Sequence, residues 1–171
     1  MSASANTTAK VAILMGSDSD FGTLEKTVAT LKEFGVGCEV RVLSAHRVPD
    51  DVRQYVKDAP GRGIQVFIAA AGGAAHLAGA VAAHTTQPVI GVPIAATELE
   101  GVDALYATVQ MPPGVPVATV AIGKFGAVNA AILAVQILAI SDAKLREQLS
   151  RYKTAMADKV RAADQKLQAQ L

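Results

Sequence analysis

The sequence predicts an α/β fold, a three-layer sandwich in which helices cover both faces of a central parallel sheet. Strand-like apolar runs and helical segments alternate five times along the chain, an order that is typical of parallel strands joined by right-handed crossovers. The first run, residues 10–15, is almost wholly apolar and ends at Gly16, as expected of a strand buried on both faces. No internal repeat or linker divides the 171 residues. We therefore expect a single domain over residues 10–171, preceded by a disordered extension of residues 1–9.

The first two helices and the second strand follow from side-chain spacing. Apolar residues recur at helical spacing from Phe21 to Leu31, and Gly35 supplies the stop. Alternation of apolar and charged residues over 38–42 predicts the second strand. Pro49 can begin the next helix, because the N–H it lacks is one that no helix start needs. That helix should end before Pro60.

Three further strands and four helices complete the predicted fold. The strands are the apolar runs at residues 66–71, 88–92 and 117–121. Between them we expect helices over residues 75–83 and 102–109 and an irregular loop over residues 93–101. Residues 126–140 are apolar nearly all round, which predicts a helix buried on every side. A C-terminal amphipathic helix over about residues 141–171 should end the chain.

The composition excludes several classes of protein. Hydrophobic residues make up 51% and charged residues 18%, which excludes a disordered chain and indicates apolar surface hidden between subunits. The net charge of +1 leaves no basic field for nucleic acid. One cysteine and three histidines without a zinc-binding spacing argue against a metal site. The apolar stretch 126–140 is too short to cross a membrane, so we expect a cytoplasmic protein.

Ligands of parallel sheets bind at the carboxyl ends of the strands, so the loops after the strands carry the chemistry. In the first loop, Ser17, Ser19 and free backbone N–H groups at a helix start suit a phosphate. Asp20 would repel a phosphate and is better suited to accept hydrogen bonds from ribose hydroxyls. The alternative is a plain helix cap, because Ser and Asp are the commonest capping residues.

The second loop contains Ser44, His46 and Arg47. A histidine exchanges protons near neutral pH, and an arginine offers two parallel donors to a phosphate or carboxylate. A proton shuttle beside an anion clamp fits a charged substrate that changes its protonation state. The alternative is an ordinary surface pair, but its position at the end of a strand favours a site.

The third loop is built from small residues around a histidine. Gly72, Gly73 and Ala74 let the backbone approach a ligand closely and leave a small apolar recess. The run through His76 and Leu77 lacks the spacing of a dinucleotide-binding loop. Tight packing between helix and strand is the alternative for Gly73 to Ala75. His76 could cap, orient another group or be a satisfied buried histidine.

Six strings taken together resemble one family, the bacterial N5-carboxyaminoimidazole ribonucleotide mutases of purine biosynthesis. They occur in the order that the family has, and they span most of the chain from Lys10 to about Tyr152. The strings are Met15–Asp20, Ser44–Arg47, Ala71–Leu77, Pro88–Pro93, Val109–Pro112, and Ala121–Gly123 with Asn129–Ala131.

The resemblance implies a flavodoxin-like fold, a homo-octamer with sites shared between subunits, and no metal, nucleotide cofactor or biotin. The implied reaction moves a carboxylate from the exocyclic nitrogen of an aminoimidazole ribonucleotide to ring carbon four, and His46 takes the catalytic position. As the mechanism we expect release and retention of CO2, with His46 as a shuttle that gives one proton and takes one back. Ser17, Asp20 and Arg47 take binding positions. Ser19, Ser44 and the segment from Gly72 to Leu77 match positions that line the pocket.

Two other functions stay open at this stage. One is a carboxylase that joins free CO2 to aminoimidazole ribonucleotide, although Arg47 and the intact run from Ala71 to Leu77 favour the mutase. The other is a noncatalytic module that binds a nucleotide or a flavin. No aromatic residue in the candidate loops is available to stack on a flavin.

Overall fold

The structure is a computed structural model and describes residues 8–171. The strands are β1 (Val11–Met15), β2 (Cys38–Val42), β3 (Val66–Gly72), β4 (Val89–Ile94) and β5 (Ala118–Thr119). The helices are α1 (Phe21–Glu33), α2 (Pro49–Asp58), α3 (Leu77–Ala82), α4 (Val102–Val109), α5 (Gly123–Leu138) and α6 (Ala143–Gln168). Residues 1–7 of the predicted N-terminal extension lie outside the described residues.

The five strands form one parallel sheet in the order β2-β1-β3-β4-β5, which confirms the predicted fold class. The chain leaves β1 for the edge strand β2 and returns to β3 on the other side of β1. The order of the strands therefore reverses between β1 and β3. This reversal opens a crevice at the carboxyl ends of the two strands, which is where parallel sheets bind ligands.

Helices cover both faces of the sheet. Between one face and helices α2 and α3 lies a cluster of buried apolar side chains that includes Ala12, Leu14, Val52, Val56, Phe67, Leu77 and Val81. Ile13 and Ile68 alternate with cluster members along their strands, so they point to the opposite face, where they are also fully buried. Helices α1 and α5 provide that second layer, joined by a hydrogen bond from the buried Thr27 hydroxyl to the Ala127 carbonyl at 2.8 Å.

The prediction that α5 is buried on every side is wrong. Its buried residues, among them Ala127, Ala130 and Ala134, recur at a spacing of three to four and form one face. Ile132 and Leu133 on the rest of the helix are only half-buried. An apolar helix need not be covered by its own chain, and the low charged fraction had already indicated surface that other subunits would cover.

Smaller differences concern the ends of elements. Strand β4 continues through Ile94, two residues into the loop predicted at 93–101, because Pro93 and Ile94 pair in register with Ala71 and Gly72 of β3. Strand β5 is an edge strand of only two residues, where five were predicted. Helix α3 is shorter than predicted at both ends.

The chain divides into two compact units, one ending at Val135 and the other comprising residues 136–171. In the second unit, Asp142 caps α6 by accepting the N–H groups of Lys144 and Leu145 at 3.0 and 3.2 Å. That a single catalytic domain covers residues 10–171 stays a prediction. Within residues 8–171, no helix combines the length and apolar character needed to cross a lipid bilayer.

Candidate active site

A cavity of about 440 Å³ lies at the carboxyl ends of β1, β2, β3 and β4. A volume of this size is typical of sites for small ligands. All the site residues predicted from the sequence line it: Ser17, Ser19, Asp20, Ser44, His46, Arg47, Gly72, Gly73, Ala74, His76 and Leu77. The three candidate loops meet because the carboxyl ends of parallel strands share one edge of the sheet.

The loop after β1 is held by its own side chains. The Ser17 N–H donates to Asp20 Oδ2 at 3.1 Å, and the Ser19 N–H donates to Ser17 Oγ at 3.4 Å, so Ser17 and Asp20 cap a short 3-10 helix at Asp18–Asp20. The alternative prediction, that Ser and Asp of this loop form a helix cap, is therefore correct. Ser17 and Asp20 also line the cavity, so the same hydroxyl and carboxylate groups are within reach of its interior.

Asp20 is the buried acid of the site, with only 6% of its surface exposed. Burial raises the pKa of its carboxyl above the ordinary value of 3.8, because removal from water disfavours the charged form. The hydrogen bond from the Ser17 N–H opposes this shift, and the nearby Asp18 charge adds to it. An acceptor with these properties suits sugar hydroxyls, which can replace the lost water.

The loop after β2 is tied to the end of β1 through Arg47. One terminal nitrogen of the Arg47 guanidinium donates to the Gly16 carbonyl at 2.8 Å, and the Arg47 N–H donates to Ser44 Oγ at 3.3 Å. Pro49 occupies the first turn of α2, as predicted, so the loop passes directly into a helix. The exposed guanidinium keeps further donors for an anion in the cavity.

The two histidines of the cavity form a pair. His46 Nε2 and His76 Nδ1 lie 2.8 Å apart, and the rings meet edge to face at an angle of 88°. Only one hydrogen fits between the two nitrogens, so one ring donates and the other accepts. His76 is exposed and makes no side-chain cap on α3, so the alternatives of a buried histidine and of a helix cap do not apply to it, and orientation of another group stays a prediction.

The floor of the cavity needs glycine at two positions. A Cβ on Gly72 would overlap the Cβ of Ala96 and lie 3.1 Å from the Ile94 carbonyl oxygen. Gly73 has a φ of 60°, in the left-handed region that favours glycine. A close approach of the loop after β4 explains the first glycine, and backbone conformation explains the second.

Sequence reasoning missed the wall supplied by the loop after β4. Ala96 and Thr97 line the cavity, although no role was predicted for residues 93–101. The rule that ligands bind at strand ends applied to this loop as well, but its residues resemble no catalytic or phosphate-binding motif. Gly16, Ala45 and Ala71 also line the cavity.

The arrangement offers donors for an anion, a carboxylate for hydroxyl groups and a histidine pair for proton transfer. No three His, Cys, Asp or Glu side chains within residues 8–171 are grouped so that they could hold a metal ion. The anion donors, the carboxylate and the histidine pair together suit acid–base catalysis on a bound anionic ligand.

Comparisons with known proteins agree on one family. A family model described as AIR carboxylase matches residues 10–159. An N5-carboxyaminoimidazole ribonucleotide mutase of Mycobacterium leprae is 52% identical over 159 residues, which are 93% of this chain and 92% of that protein. The Escherichia coli K12 protein of the same name is 50% identical over 157 residues, covering 92% and 93%. A crystal structure of Treponema denticola PurE superposes with a TM-score of 0.84 at 32% identity, covering 92% of this chain and 97% of that one.

Proposed function

The chain belongs to the AIR carboxylase family, and on that premise we propose that it is an N5-carboxyaminoimidazole ribonucleotide mutase. It moves the carboxylate from the exocyclic nitrogen N5 to ring carbon C4 and so yields 4-carboxy-5-aminoimidazole ribonucleotide for purine biosynthesis. The observation that carries the proposal is the His46–His76 pair, placed in one cavity with the free donors of Arg47.

We assign the binding groups by their chemistry. The Arg47 guanidinium, with the hydroxyls of Ser17 and Ser19, binds the phosphate, since these groups donate hydrogen bonds and Arg47 carries the positive charge. The buried Asp20 carboxylate accepts hydrogen bonds from the ribose hydroxyls. Ser44 holds the backbone of Arg47 in place through its Oγ.

His46 performs both proton transfers in the proposed reaction. It donates a proton to N5, the electron pair of the N–C bond stays on nitrogen, and CO2 and neutral aminoimidazole ribonucleotide result. Carbon C4 then attacks CO2, and the proton that C4 gives up returns to His46. We assign His46 Nε2–H as the donor and His76 Nδ1 as the acceptor of their hydrogen bond, which makes His46 Nδ1 the nitrogen that exchanges the proton.

CO2 must stay in the cavity between the two steps. It has no charge and no net dipole, so neither a salt bridge nor a strong hydrogen bond can hold it. The small side chains Ala71, Ala74 and Ala96 on the cavity wall leave room for it beside the ring.

We further propose that the protein works as a cytoplasmic homo-octamer. The half-buried apolar residues of α5 and the side chain of Phe125, which is 83% exposed, are surface that such an assembly would cover. Sedimentation of the purified protein tests the subunit number. A stable monomer would contradict it.

Conversion of the carbamate substrate by the wild type, His46→Asn and His84→Asn tests the function. His84 is the matched control, because it is exposed and lines a recess that is separate from the candidate active-site cavity. We expect His46→Asn to lose roughly 10²–10⁴-fold in turnover and to bind the ribonucleotide as tightly as the wild type. We expect His84→Asn to match the wild type. Near-normal turnover of His46→Asn, or equal loss in both variants, would contradict the assigned role.

The carboxylase is the second candidate, because the matching family model is described as AIR carboxylase. The two activities differ in the source of the carboxyl carbon. In buffer with ¹³C-bicarbonate, a mutase converts unlabelled carbamate to unlabelled product, whereas a carboxylase makes labelled product from aminoimidazole ribonucleotide. The wild-type enzyme is expected to give unlabelled product from the carbamate.

A further inference from the structure

The loop after β4 forms a wall of the cavity, and its shape depends on one hydroxyl group. We call residues 95–100 the wall loop. Within it, Thr97 Oγ1 accepts the Leu99 N–H at 3.2 Å and donates to Asp103 Oδ2 at 2.6 Å. The Thr97 carbonyl also accepts the Glu100 N–H at 3.0 Å. The Thr97 hydroxyl therefore connects a turn of the wall loop to the Asp103 carboxylate, which lies outside the loop.

Asp103 lies in the first turn of α4, a position where the helix favours negative charge. The hydrogen bond from Thr97, followed by the nearby backbone N–H of Ala104, lowers the pKa of its carboxyl. The bond from Thr97 is therefore charge-assisted at neutral pH, and bonds of this kind are stronger than those between neutral groups.

The wall loop rests directly on the glycine floor. Ala96 fills the space that a Cβ on Gly72 would need, and Thr97 Cγ2 lies 3.4 Å from where a Cβ on Gly73 would be. After Gly73 the chain continues to Ala74, whose carbonyl accepts the His76 N–H at 2.7 Å. The glycine floor is thereby connected to the histidine pair. The six residues of the loop are themselves exposed, so little burial holds them down.

We propose that Asp103 is a positioning residue that, through the Thr97 hydroxyl, holds the wall loop on the cavity and so prevents the escape of CO2. The inference rests on the proposed mutase function and assigns the retention of its intermediate. CO2 forms no strong bond with the protein. It is therefore retained only if the cavity stays closed for longer than CO2 takes to react with carbon C4. If CO2 escapes from the cavity, the carboxyl carbon is lost to the solvent, and the enzyme releases aminoimidazole ribonucleotide in place of product.

The test measures the fate of the carboxyl carbon in the variant Thr97→Val, which keeps the shape of the side chain and removes the hydroxyl. Unlabelled carbamate is turned over in ¹³C-bicarbonate buffer, and released aminoimidazole ribonucleotide and labelled product are measured against a blank without enzyme. We expect the escaped fraction to rise roughly tenfold, because the variant loses a hydrogen bond to a charged group. Thr97→Ser, which restores the hydroxyl, should return the fraction toward the wild-type value.

Thr85→Val is the matched control. Thr85 Oγ1 accepts the N–H of the residue two positions ahead at 3.1 Å, as Thr97 Oγ1 does, but it precedes β4 and lies outside the cavity. Asp103→Asn supplies a second variant, and the double variant with Thr97→Val should show little further escape, because both changes break one interaction. Circular dichroism confirms that each variant is folded.

The outcomes separate the inference from the proposed function. If the wild type converts the carbamate and Thr97→Val shows wild-type escape, the inference is wrong and the mutase function stands. An equal rise in Thr97→Ser or Thr85→Val would also overturn it. If the wild type does not convert the carbamate, the proposed function fails instead.

Discussion

Replacement of Gly72 by alanine tests how closely the cavity floor and the wall loop are packed. The new Cβ would lie under 3.0 Å from the Cβ of Ala96 and 3.1 Å from the Ile94 carbonyl oxygen. Carbon atoms in contact are normally about 3.5–4.0 Å apart, so Ala96 must move by at least about 0.5 Å. Gly72 pairs with Ile94 in the sheet, which prevents the floor from giving way.

The size of the effect follows from the cost of overpacking. Extra atoms in a packed site typically cost about 1–3 kcal/mol. For a chain of this length, 1 kcal/mol lowers the melting temperature by about 2–4 °C, so we expect Gly72→Ala to melt roughly 2–12 °C below the wild type. Displacement of the wall loop should also lower kcat/KM, since a misplacement of about 1 Å can cost 10²-fold.

Thermal denaturation and steady-state conversion of the carbamate measure the two effects. Gly22→Ala is the control: Gly22 is an exposed residue of α1 with nothing within 4 Å of its would-be Cβ, so this change should stabilise the protein by about 0.5–1 kcal/mol. In the double variant Gly72→Ala/Ala96→Gly the overlapping carbon is gone, and most of the lost stability and activity should return. Wild-type melting and activity in Gly72→Ala, or no recovery in the double variant, would refute the reasoning.

Two predictions concern titratable groups. Because burial raises the pKa of Asp20, the folded state holds that proton more tightly than the unfolded chain. The contribution of Asp20 to stability is therefore fully present below the ordinary value of 3.8 and is lost as the pH rises through the folded value. Asp20→Asn should therefore raise the melting temperature of the ligand-free protein at pH 7 and weaken ribonucleotide binding; a lower melting temperature at pH 7 would contradict this. The Arg62 hydrogen bonds, with help from Tyr55, lower the pKa of Glu39, so its contribution to stability is present above the ordinary value of 4.5 and is lost as the pH falls through the folded value. Glu39→Gln should destabilise the protein at pH 7, by no more than about 1 kcal/mol because the pair is partly exposed, and the difference in urea unfolding from the wild type should vanish in acid.

Sequence periodicity predicted the strands and helices well where contacts within a single chain determine them. The second strand, residues 38–42, and the helix at residues 102–109 have the predicted bounds, because alternation and turn residues act over a few positions. The α5 helix shows the limit of this reasoning. Apolar residues all round indicate that a helix will be covered, but they do not say whether its own core or a neighbouring subunit covers it.

The sequence predicted which loops form the candidate site, but it did not predict which contacts their side chains make. Ser17, His46 and Gly72 were chosen because each follows a strand, and the parallel sheet brings all three to one cavity. Thr97 was missed because its part in the wall comes from a hydrogen bond to Asp103 and from packing on Gly73. Neither contact has a local pattern.

The order of strands and helices, and with it the edge of the sheet where chemistry can occur, was determined by the sequence alone, since both depend on local periodicity and on the rules that connect parallel strands. Only the tertiary structure decided that His46 meets His76, 30 residues away, and that the wall loop lies on the glycine floor. These contacts depend on the directions in which side chains leave their loops, and those directions are set by packing between segments that are distant in the chain.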